Sequence, residues 1–323
     1  MAEGVHAEIS FSKTQNCWRA GMHYLNACIR TKLHKQPFQF IFIFHLALLS
    51  FFVSHPAYAL DIIKFGAPQS DKDDRSSYPV ALLNKTLEIT KSSYGPYKVE
   101  TSYKMTRNRA LLELQKGELI NIHEAPTQPE WEEKVLPIYV PIRKGLLGYR
   151  LFLIHKDNQS KLDKVQNIED LKSLVAGLGA QWSITLSMKH FGFTMNTSLE
   201  YEHLFKLLHL KRFDYFPRGI SEVFTELEMR KETYPDIVIE SKKAFYLPLP
   251  TYFFVSPKTP HLAERIEKGL WLMIKNGSFD KLFDEYFSEV IAQAKLDSRE
   301  ILSIENPFVP YHKTFKKEEL WFR

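Results

Sequence analysis

The chain has 323 residues, is 44% hydrophobic and 14% aromatic, and carries a formal charge of +5. That length and apolar content support a substantial core and favour two domains over one. Residues 1–59 hold a net +3 of the charge and leave +2 for the remainder, too small a surplus to argue for nucleic-acid binding.

The first informative segment is "FQFIFIFHLALLSFFV", Phe38 to Val53, preceded by Arg30, Lys32 and Lys35 and followed by "SHPAYA" ending at Ala59. A basic stretch, an apolar run and a small-x-small site predict a secretory signal peptide over 1–59, cleaved after Ala59. The run is 16 residues, short of the roughly 20 a membrane span needs; an uncleaved anchor is the alternative. Met22 is an equally good start, which leaves residues 1–21 open as an over-extension. Cys17 and Cys28 both precede the cut, so the mature chain is expected to hold no disulfide, zinc-thiolate site or cysteine nucleophile.

From Leu60 short apolar runs alternate with helical patterns, the signature of an α/β fold. Leu60 to Gly66 predicts a strand, and "YPVALLNKTLEIT" a helix with Val80, Leu83 and Leu87 on one face. "YGPYKVETSY" is a turn and a strand; "RNRALLELQKGE" is a short helix with Ala110, Leu111 and Leu114 inward and Gly117 as C-cap. "LINI", Leu119 to Ile122, reads as a buried strand, and His123 to Thr127 as a strand-to-helix turn. Thr127 and Glu130 have capping-box spacing, with Pro129 in the first helical turn.

"GYRLFLIHK", Gly148 to Lys156, is a long strand, and "TYFFVSP", Thr251 to Pro257, a second. Between them "LVAGLGAQWSITLSMKHF" runs strand, turn, helix, with Ile184, Met188 and Phe191 on one face. "FDYFPRGISEVFTEL" repeats that order, with Ile220, Val223, Phe224 and Leu227 as the buried stripe. From His261 two helices follow, separated by Asn276 and Gly277, and the last 35 residues read as a wrapped tail.

Ligands of open α/β sheets sit beyond the carboxyl ends of the strands. Three turns are so placed: His123 to Thr127, Gly177 to Ser183, and Phe216 to Ser221, each before a helix start whose free N–H groups favour an anion. Arg218 adds a planar cationic fork suited to carboxylate or phosphate; the alternative is an ion pair with Glu222. Gly177 and Gly179 allow close backbone approach, and Trp182 is either a stacking wall or core. His123 with Glu124 is either an acid–base pair or a ligand-orienting or solvated pair. Trp131, Tyr215, Phe216 and Tyr252 are each core or contact. No HExxH spacing, GxSxG elbow or Walker A loop occurs, so no metal and no cofactor is expected.

The segments "RALLELQKGELINI", "TQPEWEEKVLPIYVP", "GYRLFLIHK", "NIEDLKSLVAGLGAQWSIT" and "NGSFDKLFDEYF", in this order over residues 60–287, resemble the type 2 periplasmic solute-binding proteins, most closely the polar amino-acid-binding group, solute-binding family 3. "GLLGYR", "GAQWS" and "RFDYFPRG" are similar to a bacterial subgroup of ABC transporter substrate-binding proteins. The resemblance implies a two-lobed α/β fold with two crossing hinge strands, near Gly148 to Arg150 and Thr251 to Phe253. Lobe 1 would hold 60–148 and 254–287, lobe 2 would hold 149–253, and the tail 288–323 would pack on lobe 1. It implies a monomeric periplasmic protein, not an enzyme, that closes on a small solute for a membrane permease or sensor.

Two departures bear on the solute. Family members usually carry an arginine after the "T-x-PE" turn, where this chain has Trp131, and an aspartate after the last strand of lobe 2, where it has "FPRG". An anionic or aromatic solute is therefore expected in place of an ordinary α-amino acid. An anionic group is expected on Arg218, helped by N–H groups of the turn of Gln181, Trp182 and Ser183; Gly219, Glu124, Thr127 and Trp131 complete the expected site, with Arg107, Arg109 and Arg150 as further cations. Two alternatives stay open: a periplasmic dehydratase or lyase on this fold using Glu124 or His123, and an interaction module without a ligand whose tail docks a partner.

Overall fold

The computed structural model describes residues 59–67, 75–309 and 317–322. The expected signal peptide, apart from Ala59, and both cysteines lie outside the described residues. Strand β1 (Asp61–Phe65) leads to helices α1 (Ser77–Ile89) and α2 (Lys91–Tyr94), then β2 (Tyr97–Thr101), α3 (Arg107–Lys116), β3 (Ile122–Pro126), α4 (Pro129–Lys134) and β4 (Leu136–Ile138). The middle of the chain runs β5 (Tyr149–His155), α5 (Gln159–Leu162), α6 (Ile168–Ser173), β6 (Ala176–Gly179), α7 (Ser183–His190), β7 (Met195–Ser198) and α8 (Tyr201–His209). It continues with β8 (Phe216–Gly219), α9 (Val223–Glu228), β9 (Ile237–Ile239) and β10 (Lys243–Tyr246). The chain then returns through β11 (Thr251–Val255), α10 (Pro260–Lys275), α11 (Ser278–Ala294) and β12 (Glu300–Ser303).

Two sheets define the two lobes. The first has the order β2-β1-β3-β11-β4, and the second β12-β10-β5-β8 with β9 also on β5; β6 and β7 form a small parallel pair. Residues 139–148 and 247–250 pass between the sheets side by side, joined where the Leu247 N–H donates to the Gly148 carbonyl at 3.1 Å. All of β11 belongs to the first sheet, so that lobe begins again at Thr251, ahead of the boundary at residue 254 that was expected.

The local patterns explain the elements. In α1 the buried residues are Tyr78, Pro79, Leu82, Leu83, Thr86 and Leu87, while Val80 is only half-buried. The buried face is turned toward Tyr78, whose hydroxyl donates to the Ile142 carbonyl at 2.7 Å. Ala110, Leu111 and Leu114 face inward on α3, which ends at Gly117 as expected. One apolar cluster includes Ile63, Leu83 and Phe253 of the first lobe, Leu151, Phe205 and Phe216 of the second, and Val140, Ile142 and Leu146 from the connecting segment.

Three expectations are corrected. The residues read as a turn at 123–127 are mostly strand, because β11 pairs antiparallel with β3 from Thr251 opposite Pro126 to Val255 opposite Ile122. Pro126 is the last residue of β3, where the lost N–H matters least. Phe216 to Gly219, also read as turn, is likewise strand: β8 lies at the end of the sheet order, where Pro217 is tolerated. The Thr127–Glu130 capping box does not form; Gln128 is the N-cap of α4, Pro129 opens it, and the Thr127 hydroxyl donates to Glu132 instead.

The tail divides into two parts. β12 pairs in parallel with β10 of the second sheet and buries Leu302, so this part does not pack on lobe 1 as expected; an otherwise open sheet edge takes it up. Further on, the Phe322 N–H donates to the Lys144 carbonyl at 2.7 Å, and Lys317 lies 4.0 Å over the ring of Trp271. Trp321 lies so close to Gly145 that a Cβ there would fall 2.5 Å from the indole, and Gly145 adopts φ +72°.

Candidate functional site

A cavity of about 200 Å³ lies between the lobes. Its walls include Phe65, Arg75, Arg107, His123, Glu124 and Arg143 on one side and Arg150, Gln181, Trp182, Ser183, Tyr201, Arg218 and Glu222 on the other. Two hydrogen bonds cross between the lobes beside it. The Asn108 N–H, one of the unsatisfied donors of the first turn of α3, reaches Gln181 Oε1 at 3.2 Å. The Ser183 hydroxyl donates to the Pro126 carbonyl at 3.1 Å.

Arg218 is 2% exposed. Its Nε donates to Glu226 Oε2 at 2.6 Å, its Nη2 to Glu226 Oε1 at 2.5 Å, and Nη2 lies 3.0 Å from Glu222 Oε2. The guanidinium lies 4.6 Å over the Trp182 ring and 5.0 Å over Phe216. Burial alone would lower its pKa, but Glu222 and Glu226 outweigh that and raise it. Glu226 also accepts from the Tyr201 hydroxyl at 2.5 Å, and Arg218 holds its carboxyl below the ordinary range against the upward push of burial. Arg218, expected to hold an anion, makes the ion pair with Glu222 that was the alternative, and Glu226 meets its charge as well.

Arg150 presents the opposite case. It stands on β5 opposite Gly219 of the adjacent strand β8, is 3% exposed and faces the cavity. Its Nη1 donates to the Pro217 carbonyl at 3.2 Å, its Nε is buried without a partner, and it makes no ion pair among the described residues. Burial lowers its pKa to about 10, with Glu222 opposing and Arg218 adding to the fall. Arg107, at the start of α3 in the first lobe, is only half-buried but likewise has no ion pair among the described residues. Its Nη2 donates to the Pro126 carbonyl at 2.5 Å, its Nε is buried without a partner, and its guanidinium lies 4.7 Å over the Trp131 ring. Burial brings it to about 10 too, against the pull of Glu124 and Glu130. Both remain cations at neutral pH.

His123 has a buried Nδ1 without a partner and a ring tilted against Trp131 at 5.5 Å. Burial, reinforced by Arg107, lowers its pKa to about 3, so it is neutral. Glu124 lies 3.8 Å from Arg143.

The other expected residues fall into two groups. Gln181, Trp182, Ser183 and Glu124 line the cavity with Arg107, Arg150 and Arg218. Trp182 is both wall and packing: it stacks on Phe216 at 6.0 Å, and a Cβ on Gly179 would fall 2.3 Å from the indole, so the close approach Gly179 permits is by this ring. Trp131 is 1% exposed in the cluster with Ala110 and Phe254, and Thr127 is 2% exposed. Neither reaches the cavity wall; Trp131 supports Arg107 from behind. Gly219 gives its N–H to Glu222 Oε2 at 3.1 Å and packs on Leu147, behind the wall. Arg109 pairs with Glu113 at 2.7 Å and is mostly exposed. Arg75, Arg143 and Tyr201 were not anticipated.

No protein-family model matches this sequence, and no curated protein matches it. Among solved structures it is similar to an ancestral arginine-binding protein bound to glutamine, with a TM-score of 0.52 and 18% identity over 70% of this chain and 97% of that one. It is similar to an ancestral amino acid-binding protein, a precursor of cyclohexadienyl dehydratase, at 0.50 and 19% over 70% and 95%. A periplasmic His/Glu/Gln/Arg/opine family-binding protein from Silicibacter pomeroyi, in complex with lysine, gives 0.51 and 10% over 70% and 97%. The chain thus has the two-lobed fold of the periplasmic binding proteins, as the sequence resemblance implies.

Proposed function

We propose that this chain is an extracytoplasmic solute-binding protein that captures a small anionic solute by closing its lobes and presents it to an ABC-type permease or a sensor. One observation carries the reading: Arg150 is 3% exposed, faces the interlobe cavity and has no carboxylate partner among the described residues. Burying a charge without its counter-charge costs several kcal/mol, and a solute anion supplies that counter-charge. Hydrogen bonds that cross between the lobes, such as those of Gln181 and Ser183, would form on closure and favour the closed population. The fold and the expected signal peptide support a periplasmic location.

Catalysis is not part of this reading. A histidine held neutral, with a pKa of about 3, is far from the range a general acid or base needs, and Glu124 has Arg143 beside it.

The test is thermal unfolding of the purified protein against carboxylates, aromatic acids, phosphate, amino acids and polyamines. A solute at 100 times its Kd adds about 2.7 kcal/mol of stability. A stabilising anion whose effect disappears in Arg150→Met supports the reading. A cationic or neutral solute that stabilises both proteins equally contradicts it.

A further inference from the structure

Among the described residues the cavity holds more positive charge than its carboxylates can meet, and the excess is divided between the lobes. Glu222 is engaged by Arg218 at 3.0 Å and by the Gly219 N–H at 3.1 Å. Glu226 is clamped by two nitrogens of Arg218 and by Tyr201, and Glu124 has Arg143 at 3.8 Å. Arg107 on the first lobe and Arg150 on the second donate to carbonyls, at 2.5 Å and 3.2 Å, and each keeps a buried Nε without a partner.

We infer that the solute is a small dicarboxylate without an amino group, one carboxylate taken by Arg107 and the other by Arg150. This rests on the reading of the cavity as a solute site. Closing the lobes brings two cations toward one cavity, which opposes closure in the empty protein. A molecule with an anion at each end turns that repulsion into attraction on both sides, so its affinity for the closed form exceeds its affinity for the open form, as a closing ligand requires. A single acidic group meets one arginine and leaves the other without a counter-charge. An ammonium group fares worse, because an approach to Glu222 is also an approach to Arg218 and Arg150.

Size and lining agree. A cavity of about 150 Å³ holds benzene, so about 200 Å³ holds on the order of eight non-hydrogen atoms. Phe65, Leu147, Trp182 and Leu249 give the walls apolar surface suited to a short hydrocarbon between two charged ends.

The experiment is calorimetric titration of the wild type and Arg107→Gln with succinate and glutarate. Butyrate, glutaramate, glutamate and inorganic phosphate are run beside them. The expected result is that one diacid binds the wild type at least tenfold more tightly than its mono-acid or half-amide, glutamate and phosphate. Arg107→Gln should abolish that preference while mono-acid binding persists. Equal binding of mono-acid and diacid, or tighter binding of glutamate or phosphate, overturns the dicarboxylate inference and leaves the anion site standing. A wild type that binds none of these acids overturns the reading beneath it. The wild-type series decides between these results even if the variant fails to fold.

Discussion

Arg150 and Arg218 stand on neighbouring strands, Arg150 opposite Gly219 and Leu151 opposite Arg218. Both are almost fully buried, yet they differ in what meets their charge. Arg218 is closed off by Glu226 and Glu222 and sandwiched by aromatic rings, and its corner is a finished piece of structure. Arg150 has a carbonyl and a cavity. Burial of a charge is therefore not the sign of a ligand site; burial without a counter-charge is. The arginine most conspicuous in the sequence is the one whose charge is met by carboxylates, and the arginine inside an apolar strand is the one we propose for the solute.

The strongest way to break this contrast is to remove the partner of Arg218. Glu226→Gln leaves a buried guanidinium with half its ion-pair network, and we expect a loss of about 3–5 kcal/mol in denaturant unfolding. A loss below 1 kcal/mol would show that the Arg218 corner is not built as described. The second test has the opposite sign. Arg150→Met removes a buried charge that has no counter-charge among the described residues, so the empty protein should gain about 1–2 kcal/mol in the same assay.

Acid is a third probe. The folded pKa of His123, about 3, lies below the usual value of about 6.5. Between those values the unfolded chain binds a proton that the native state excludes, so stability from this group is complete above the usual value and is lost as pH falls toward the folded one. The slope is at most about 1.4 kcal/mol per pH unit, and His123→Phe should flatten it in unfolding measured from pH 7 to pH 4. Gln181→Ala, which removes one interlobe hydrogen bond, is expected to have the smallest effect: about 0.5–1.5 kcal/mol of solute affinity, read by titration, with the stability of the empty protein unchanged.

Much of the fold was legible in the sequence because alternating strand and helix periods are local signals. The misreadings fall where tertiary pairing overrides local punctuation. Pro126 and Pro217 look like turn residues, but one ends β3 and the other lies on an edge strand. The "REILSI" segment gives little strand signal, since only Leu302 of β12 is buried. The site was legible in part. Arg107, Arg150 and Arg218 were among the expected residues, but two of the three expected turns are strand; of the partners of Arg218, Glu222 was visible at four residues' spacing, whereas Glu226 is eight residues away across a strand-to-helix turn. Arg143, in the segment joining the lobes, follows Pro141 where no helix or strand pattern draws attention to it. His123 and Glu124 suggest acid–base chemistry as a pair of letters, and only the burial of the imidazole shows that one of them stays neutral.

The most direct test of the account is the Kd of the tightest-binding carboxylate for Arg150→Met against the wild type, with the unfolding midpoint of each empty protein measured alongside. The account predicts at least a hundredfold loss of affinity and a midpoint no lower than that of the wild type. An unchanged Kd, or a variant that is less stable when empty, would show that Arg150 serves the fold and that the solute is held elsewhere.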